Sequence, residues 1–122
     1  MPSSPAFRDR ALGALLAFGP VQARAMFGGY GLYLDGVMFA LIAWDTLYFK
    51  VDDGNRGDFV AQGMRPFTYE GKTRPIEMSY YEVPPSLFGD PGAMVDWATA
   101  AHAAAQRARR KQPQRKRRAR DG

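Results

Sequence analysis

Three apolar runs between residues 30 and 51 are separated by residues that are typical of turns. The dipeptide Asp35-Gly36 predicts a two-residue type I′ hairpin turn, because that turn needs a positive φ at both central positions. A second reversal at Trp44-Asp45-Thr46 leads into the third run. The pattern predicts a three-stranded antiparallel meander with Val37–Ala43 as its middle strand.

The middle run also predicts how the sheet is covered. Strict alternation puts Val37, Phe39 and Leu41 on one face. The opposite face then receives Met38, Ala40 and Ile42. A strand that is apolar on both faces is a central strand, covered at least in part on each side. The next run, 47–51, alternates between apolar and polar residues, which predicts that one face of it meets water.

Two pairs of residues mark the beginnings of helices. Ser4-Pro5 and Asp90-Pro91 each supply a side chain that can cap a helix, followed by a Pro that fits the first helical position. The first helix is expected to end at Gly19-Pro20. The last helix, with Met94 and Trp97 in its buried stripe, is expected to fray near Gln112-Pro113.

A shorter helix and a second pair of strands are predicted between these two helices. Asp53 is expected to cap a helix over 54–62, which Gly63 ends. Segments 66–70 and 75–81 are predicted strands, each with Pro at its start, joined by a turn over 71–74. The order is α-β-β-β-α-β-β-α, which predicts an α+β fold, a two-layer sandwich with an antiparallel meander as its core.

The charge is unevenly distributed along the chain. The 122 residues suffice for one domain and carry a formal net charge of +5. Residues 107–122 contain nine Lys and Arg against one Asp, so the remainder of the chain is mildly acidic. Low hydrophobicity and high charge are typical of disorder. We expect a folded domain over 1–108 and a basic disordered tail over 109–122.

The basic side chains of this end are candidate contacts to nucleic acid, because Lys and Arg bind phosphates without reading sequence. The candidates are Arg107, Arg109, Arg110, Lys111, Arg115, Lys116, Arg117, Arg118 and Arg120. A purely solubilising role is the alternative explanation of the same charges.

The chain offers few groups for catalysis or metal binding. Cys is absent and His102 is the only histidine, which is expected at the surface or rim. The Gly-Gly-Tyr-Gly group at 28–31 lacks the third glycine and the following helix of a dinucleotide fingerprint, so a β-bulge or strand bend is favoured. The segment 52–55 lacks the ligand spacing of a calcium loop. We expect no enzyme activity, no cofactor and no metal site.

Hydropathy and the N-terminal residues indicate the compartment. No apolar run reaches the roughly 18 residues of a membrane span. The N-terminus lacks the basic and apolar regions of a signal peptide. We expect a soluble cytoplasmic protein without membrane contact.

Several motifs, in order along the chain, resemble one protein family. They are RAMFGGYGLYLDGVMFALI, LYFKVDDGNRGDF, GMRPFTYEGK, EMSYYEVP and DWATAAHAAAQRA. Together they are similar to the N-terminal domain of the TfoX/Sxy proteins, bacterial regulators linked to DNA uptake competence. The resemblance spans residues 7 to about 108 and implies a two-layer sandwich of the secretion-chaperone type. It implies no catalytic residue.

The resemblance also implies a role in transcription regulation, since full-length members act with the cyclic-AMP receptor protein at competence promoters. Many members carry a C-terminal helical domain, in whose place this chain is expected to have the basic tail. We therefore expect a non-enzymatic regulatory or adaptor domain that binds a regulatory protein partner such as a transcription factor, with nucleic-acid contact through the tail. The alternatives are an independent sequence-nonspecific nucleic-acid binder, DNA or RNA, and a small-ligand-binding or enzymatic domain.

Overall fold

A computed structural model describes the backbone of residues 2–70, 73 and 75–121, and the side chains among them at 2–68, 73 and 78–110. The strands are β1 (Gln22–Met26), β2 (Gly29–Leu34), β3 (Val37–Ala43), β4 (Thr46–Lys50), β5 (Pro66–Glu70) and β6 (Pro75–Glu82). The helices are α1 (Pro5–Ala14), α2 (Arg56–Ala61) and α3 (Pro91–Asp121), and a 3-10 turn covers Pro85–Gly89.

The six strands of the described residues form one antiparallel sheet in the order β1-β2-β3-β4-β6-β5. The helices contribute to a single apolar cluster on one face of this sheet. The α+β two-layer architecture and the meander are therefore confirmed. The element order differs from the expected one by an additional strand, β1, and by the 3-10 turn. Of the predicted connection 71–74, only Thr73 lies within the described residues.

Strand β1 was not predicted, because the apolar residues that alternate in Gln-Ala-Arg-Ala-Met are alanines, which do not favour strands. It lies at the edge of the sheet and pairs with β2. Its side chains are exposed or half-buried. Backbone pairing and the adjoining turn, rather than burial of an apolar face, account for this strand.

Three consecutive hairpins join β1 to β4, and each turn has a positive φ at both central residues. The φ values are 50° and 83° at Phe27-Gly28, 53° and 77° at Asp35-Gly36, and 55° and 51° at Trp44-Asp45. This is the backbone of the type I′ turn, whose twist matches that of the flanking strands. The prediction at Asp35-Gly36 is confirmed. In the glycine group, Gly28 serves the first turn instead of a bulge.

A β-bulge in β3 changes the predicted assignment of faces. Leu32 pairs with Ala40 and Tyr33 with Met38, so Phe39 is the extra residue between them. Phe39 and Ala40 consequently both pack in the helix-facing cluster. The strict alternation predicted for this strand is wrong beyond Phe39. Ala40 faces the helices and Leu41 faces away from them.

The helix-facing cluster forms the main core. Its fully buried members include Leu15, Leu32, Phe39, Ile42, Leu47, Phe49, Phe59 and Met94. Small residues of α3, namely Ala98, Ala101 and Ala105, complete the same cluster. Alanines in the helix allow its backbone to lie close to the sheet, and burial of the larger side chains stabilises the packing.

Both predicted N-caps are present. The Ser4 hydroxyl accepts a hydrogen bond from the Phe7 amide at 3.1 Å, and the Asp90 carboxylate accepts one from the Ala93 amide at 3.1 Å. The predicted end of α1 is wrong, since the helix ends at Ala14. The chain continues through turns in which the Phe18 amide bonds the Leu15 carbonyl at 3.0 Å.

The predicted cap of α2 is also wrong, because Asn55 and not Asp53 precedes the helix. The Asn55 side chain is buried, accepts a bond from the Asp52 amide at 2.8 Å and donates one to the Lys50 carbonyl at 3.0 Å. It thereby fixes the loop that leaves β4. Gly63, at φ 74°, ends this segment as predicted.

The backbone of α3 is helical to Asp121, beyond the end expected near Gln112-Pro113. Its residues after Pro113 are mainly Arg, Lys, Gln and Ala, which favour the helix strongly. The division of the chain into a domain over 1–108 and a disordered tail over 109–122 stays a prediction.

An ion pair joins α3 to the loop between β4 and α2. Arg107 donates from Nε to Asp52 Oδ2 at 2.6 Å and from Nη2 to Asp52 Oδ1 at 2.8 Å. Asp52 Oδ1 also accepts from the Gly54 amide at 2.8 Å. A Cβ at Gly54 would approach Arg107 Nη2 to 3.0 Å, so glycine leaves room for the pair. The hydrogen bonds from Arg107 and Gly54 lower the pKa of Asp52 to about 2.

We predict that this ion pair stabilises the fold above the unfolded pKa of Asp52 and that its contribution is lost as pH falls from about 4 to about 2. The direction follows because the folded pKa is depressed, so acid protonates the unfolded state first. Since both side chains are partly exposed, Asp52→Asn should cost only about 1 kcal/mol at neutral pH. Chemical denaturation across the acid range measures both effects. Asp53→Asn, next in the chain and fully exposed, is the control and should change little.

We also predict that glycine is required at position 36 because of its positive φ, and not because a side chain there would clash. A Cβ at Gly36 or at Gly57 meets no heavy atom within 4 Å, but only Gly36 has a positive φ, +77°. Gly36→Ala should therefore lower the free energy of unfolding by about 1 kcal/mol. Gly57→Ala, in α2, should raise it by about 0.4 to 1 kcal/mol. Equal effects of the two substitutions on denaturation midpoints would contradict the turn assignment.

Candidate functional site

The structure describes the side chains of three of the nine basic residues predicted to contact nucleic acid. Arg107 pairs with Asp52, whereas Arg109 and Arg110 are exposed and, among the described residues, have no carboxylate within 4.0 Å. Arg109 Nη1 donates to the Gly36 carbonyl at 3.3 Å, which brings the β2–β3 turn beside α3. The side chains of Lys111, Arg115, Lys116, Arg117, Arg118 and Arg120 lie outside the described residues.

A shallow depression of about 320 Å³ lies at this junction of α3 and the sheet. It is lined by Val37, Gln106, Arg109 and Arg110. Val37 comes directly after the β2–β3 turn and is buried, while the three polar side chains come from α3. We call this site the turn–helix depression.

The other end of the meander presents two large aromatic side chains. Phe27 is 82% exposed and Trp44 is 61% exposed, and each occupies the first central position of a hairpin turn. Both have a positive φ, which is uncommon for residues other than Gly, Asn and Asp and is strained for bulky ones. We call these two residues the aromatic tips.

The N-terminal segment connects the two turns that carry the aromatic tips. The Ser3 amide donates to the Gly28 carbonyl at 3.0 Å. The Ser4 amide donates to Asp45 Oδ1 at 2.7 Å, and the Asp45 amide donates to Ser3 Oγ at 3.3 Å. Because adjacent residues bind both turns, the aromatic tips lie at the same end of the sheet and keep a fixed relation to each other.

The face of the sheet away from the helices carries a second, smaller apolar cluster. Its buried members are Leu41, Ala43, Tyr48, Phe67 and Tyr80, with Met38 and Met78 packed against them. Burial raises the pKa of Tyr80 to about 12. Tyr48, predicted to face water, is buried here because Phe67 packs edge-on to it at 5.1 Å between ring centroids.

His102 is half-buried between α3 and the sheet. Its Nε2 lies 3.0 Å from the Leu34 carbonyl oxygen, and its ring contacts Phe18 and Phe39 edge-on. The expected rim position of His102 is confirmed by its partial burial, and its ring also packs against two aromatic side chains. Its ring contacts and its hydrogen bond give it a structural role.

The carboxylates near strand ends do not assemble into an acid–base pair within the part of the chain that the structure describes. Asp45 binds the Ser4 amide, and Glu82 binds Arg65 at 3.2 Å. The side chains of Glu70 and Glu77 are outside the described residues. No group of three or more His, Cys, Asp or Glu that could hold a metal occurs among the residues described.

Two features of these sites were not predicted from the sequence. The Arg107–Asp52 pair joins residues 55 positions apart, and no local pattern indicates it. The aromatic tips had a signal: a bulky residue directly before Gly28 and another before Asp45 stand where two-residue turns favour Asn, Asp or Gly. A large aromatic at such a position indicates a purpose other than forming the turn.

Comparison with known proteins identifies the family. The model of the TfoX N-terminal domain matches residues 14–105, which is more than half of the chain. The search of curated proteins found no match to the chain. Within the described residues, no helix has the length and apolar character needed to cross a membrane. The family is of a regulatory type and is not a known enzyme family. With its α+β sandwich, six-stranded sheet and matching residues 14–105, the chain belongs to the TfoX N-terminal domain family.

Proposed function

We propose that this chain is a non-enzymatic cytoplasmic adaptor domain that binds a regulatory protein partner and so takes part in transcription regulation, in the manner of competence control. The exposed pair of aromatic tips carries this proposal. The basic segment after residue 106 adds contact to nucleic acid. Membership in a regulatory family supports the class of function.

The aromatic tips have the properties of an interface anchor. Trp and other large aromatic residues supply much of the binding energy at protein interfaces, and two such exposed side chains at one end of the sheet offer apolar surface to a partner. Their positive φ values require strained backbone at residues where Asn would be relaxed. The hydrogen bonds of Ser3 and Ser4 hold the turns together, which lowers the entropy cost of binding.

Charge supports the nucleic-acid contact. Nine of the chain's seventeen Lys and Arg lie in residues 107–122, so the folded remainder is mildly acidic and would repel a phosphate backbone. Contact by the basic segment is expected to be weak and independent of base sequence. The folded body and the basic segment therefore address different partners.

We predict that Phe27→Asn and Trp44→Asn each abolish or weaken protein-partner binding by at least about tenfold, without lowering stability. Asn tolerates positive φ, so the free energy of unfolding should stay the same or rise by up to about 1 kcal/mol. Partners are captured from nuclease-treated extract of the source organism, identified by mass spectrometry, and titrated against each purified variant.

Val60→Asn is the matched control, because Val60 is 57% exposed on α2 and is not part of a hairpin turn. It should leave binding unchanged. A partner that binds both Asn variants of the aromatic tips as well as it binds the natural chain would exclude this surface. Loss of stability in those variants would show that the aromatic side chains serve the fold.

We predict that duplex DNA binding depends on the basic segment. Each phosphate contact contributes a slope of about −0.9 to log K against log salt, and partial use of the nine basic residues gives a total slope of roughly −4 to −7. Replacing the six basic residues from Lys111 to Arg120 by Gln keeps chain length and helix propensity while removing their charge. Fluorescence anisotropy at several salt concentrations should show a large loss of affinity.

The same titration tests the alternative of a purely solubilising segment. Equal binding by the Gln-substituted chain would remove nucleic acid from the proposal. If the natural chain binds nucleic acid but captures no protein partner, an independent nucleic-acid binder becomes the better description.

A further inference from the structure

We infer that the turn–helix depression binds a phosphodiester group, so that the folded domain itself contributes one end of the nucleic-acid contact. The inference rests on the proposed nucleic-acid binding and gives it a defined starting point. It assigns phosphate binding to Arg109 and Arg110 and excludes Arg107, whose charge Asp52 neutralises through a bidentate contact.

The donors in the depression fit an anion. Arg109 uses one Nη1 contact to the Gly36 carbonyl and keeps its other N–H groups available in a planar fork, the geometry that matches phosphate oxygens. Arg110 lines the same depression and has no ion pair among the described side chains. Gln106 adds a neutral amide donor, and the volume of about 320 Å³ exceeds that of one phosphate group.

The position of these donors is set from both sides of α3. Arg107 and Asp52 fix the helix to the β4–α2 loop, and His102 contacts the Leu34 carbonyl one helical turn or more earlier. Arg109 is in addition tied to the β2–β3 turn at Gly36. The arginines are thus presented by a part of the helix that is tied to the sheet and to two of its connections, which reduces the entropy lost when an anion binds.

The carboxylate of Asp35 is expected to weaken anion binding in the depression. Asp35 is exposed on the same turn, and its charge opposes an incoming anion. The depression is therefore expected to bind weakly alone and to act together with the basic residues that follow it in the chain.

The Asp52–Arg107 pair gives an internal comparison for the test. In the full chain, Arg109→Gln and Arg110→Gln should each reduce the magnitude of the salt slope for duplex DNA by about 0.9, the value of one phosphate contact. Arg107→Gln should leave the slope unchanged, because this side chain is already neutralised. Asp52→Asn frees Arg107 and should increase the magnitude of the slope.

A second measurement reports on the folded domain. Addition of a short DNA duplex to the full chain should shift the backbone amide NMR signals of Gly36 and Val37. Those shifts should persist in Arg107→Gln and disappear in the double variant Arg109→Gln/Arg110→Gln. Circular dichroism on each variant confirms that the fold is retained.

The outcomes separate this inference from the proposed function. If Arg107→Gln reduces the slope as much as Arg110→Gln does, or if the natural chain binds DNA without any shift at Gly36 and Val37, the turn–helix depression is not the site, although nucleic-acid binding stands. If the natural chain shows no salt-dependent DNA binding at all, both the proposed nucleic-acid contact and this inference fail.

Discussion

Close packing of α3 against β3 is the contact on which the rest of the molecule depends. It is possible because the facing side chains of α3 are largely alanines, all buried, while the bulk is supplied by Phe39 and its neighbours in the sheet. The bulge at Phe39 turns two successive residues toward the helix and lets the aromatic ring pack against Phe18, Phe49 and His102. Loss of this contact would expose the main core and detach the basic segment from the domain.

Charge is segregated along the same helix. Its first part packs on an acidic body and its last part holds most of the basic residues. Arg107 lies between these two parts of the helix. The Asp52 carboxylate neutralises it through two hydrogen bonds, the bidentate contact that an arginine can also make to a phosphate. The body and the basic segment therefore carry net charges of opposite sign.

Much of the architecture follows from local patterns, and the errors have local physical causes. Asp35-Gly36, Ser4-Pro5 and Asp90-Pro91 specify their turn and caps by backbone preference alone, so they could be predicted. Strand β1 could not, because an edge strand buries little and its alternating apolar residues are only alanines. The bulge depends on register between strands, which alternation within one strand does not contain. The candidate sites depend on pairs distant in sequence, such as Arg107 with Asp52, and on exposure at the aromatic tips.

The two-residue turns of the meander bear on how the chain assembles. Short turns between successive strands carry a small loop-closure entropy, and such local pairing is associated with fast folding. Strand β6 joins β4 only after α2 and β5 have intervened, and α3 covers the core from the C-terminal end of the chain. During synthesis, β1 to β4 can pair as they emerge, while their helix-facing apolar side chains remain only partly covered until α3 is made. The interval before α3 docks is therefore the period in which the nascent chain is most exposed to aggregation and to chaperone binding.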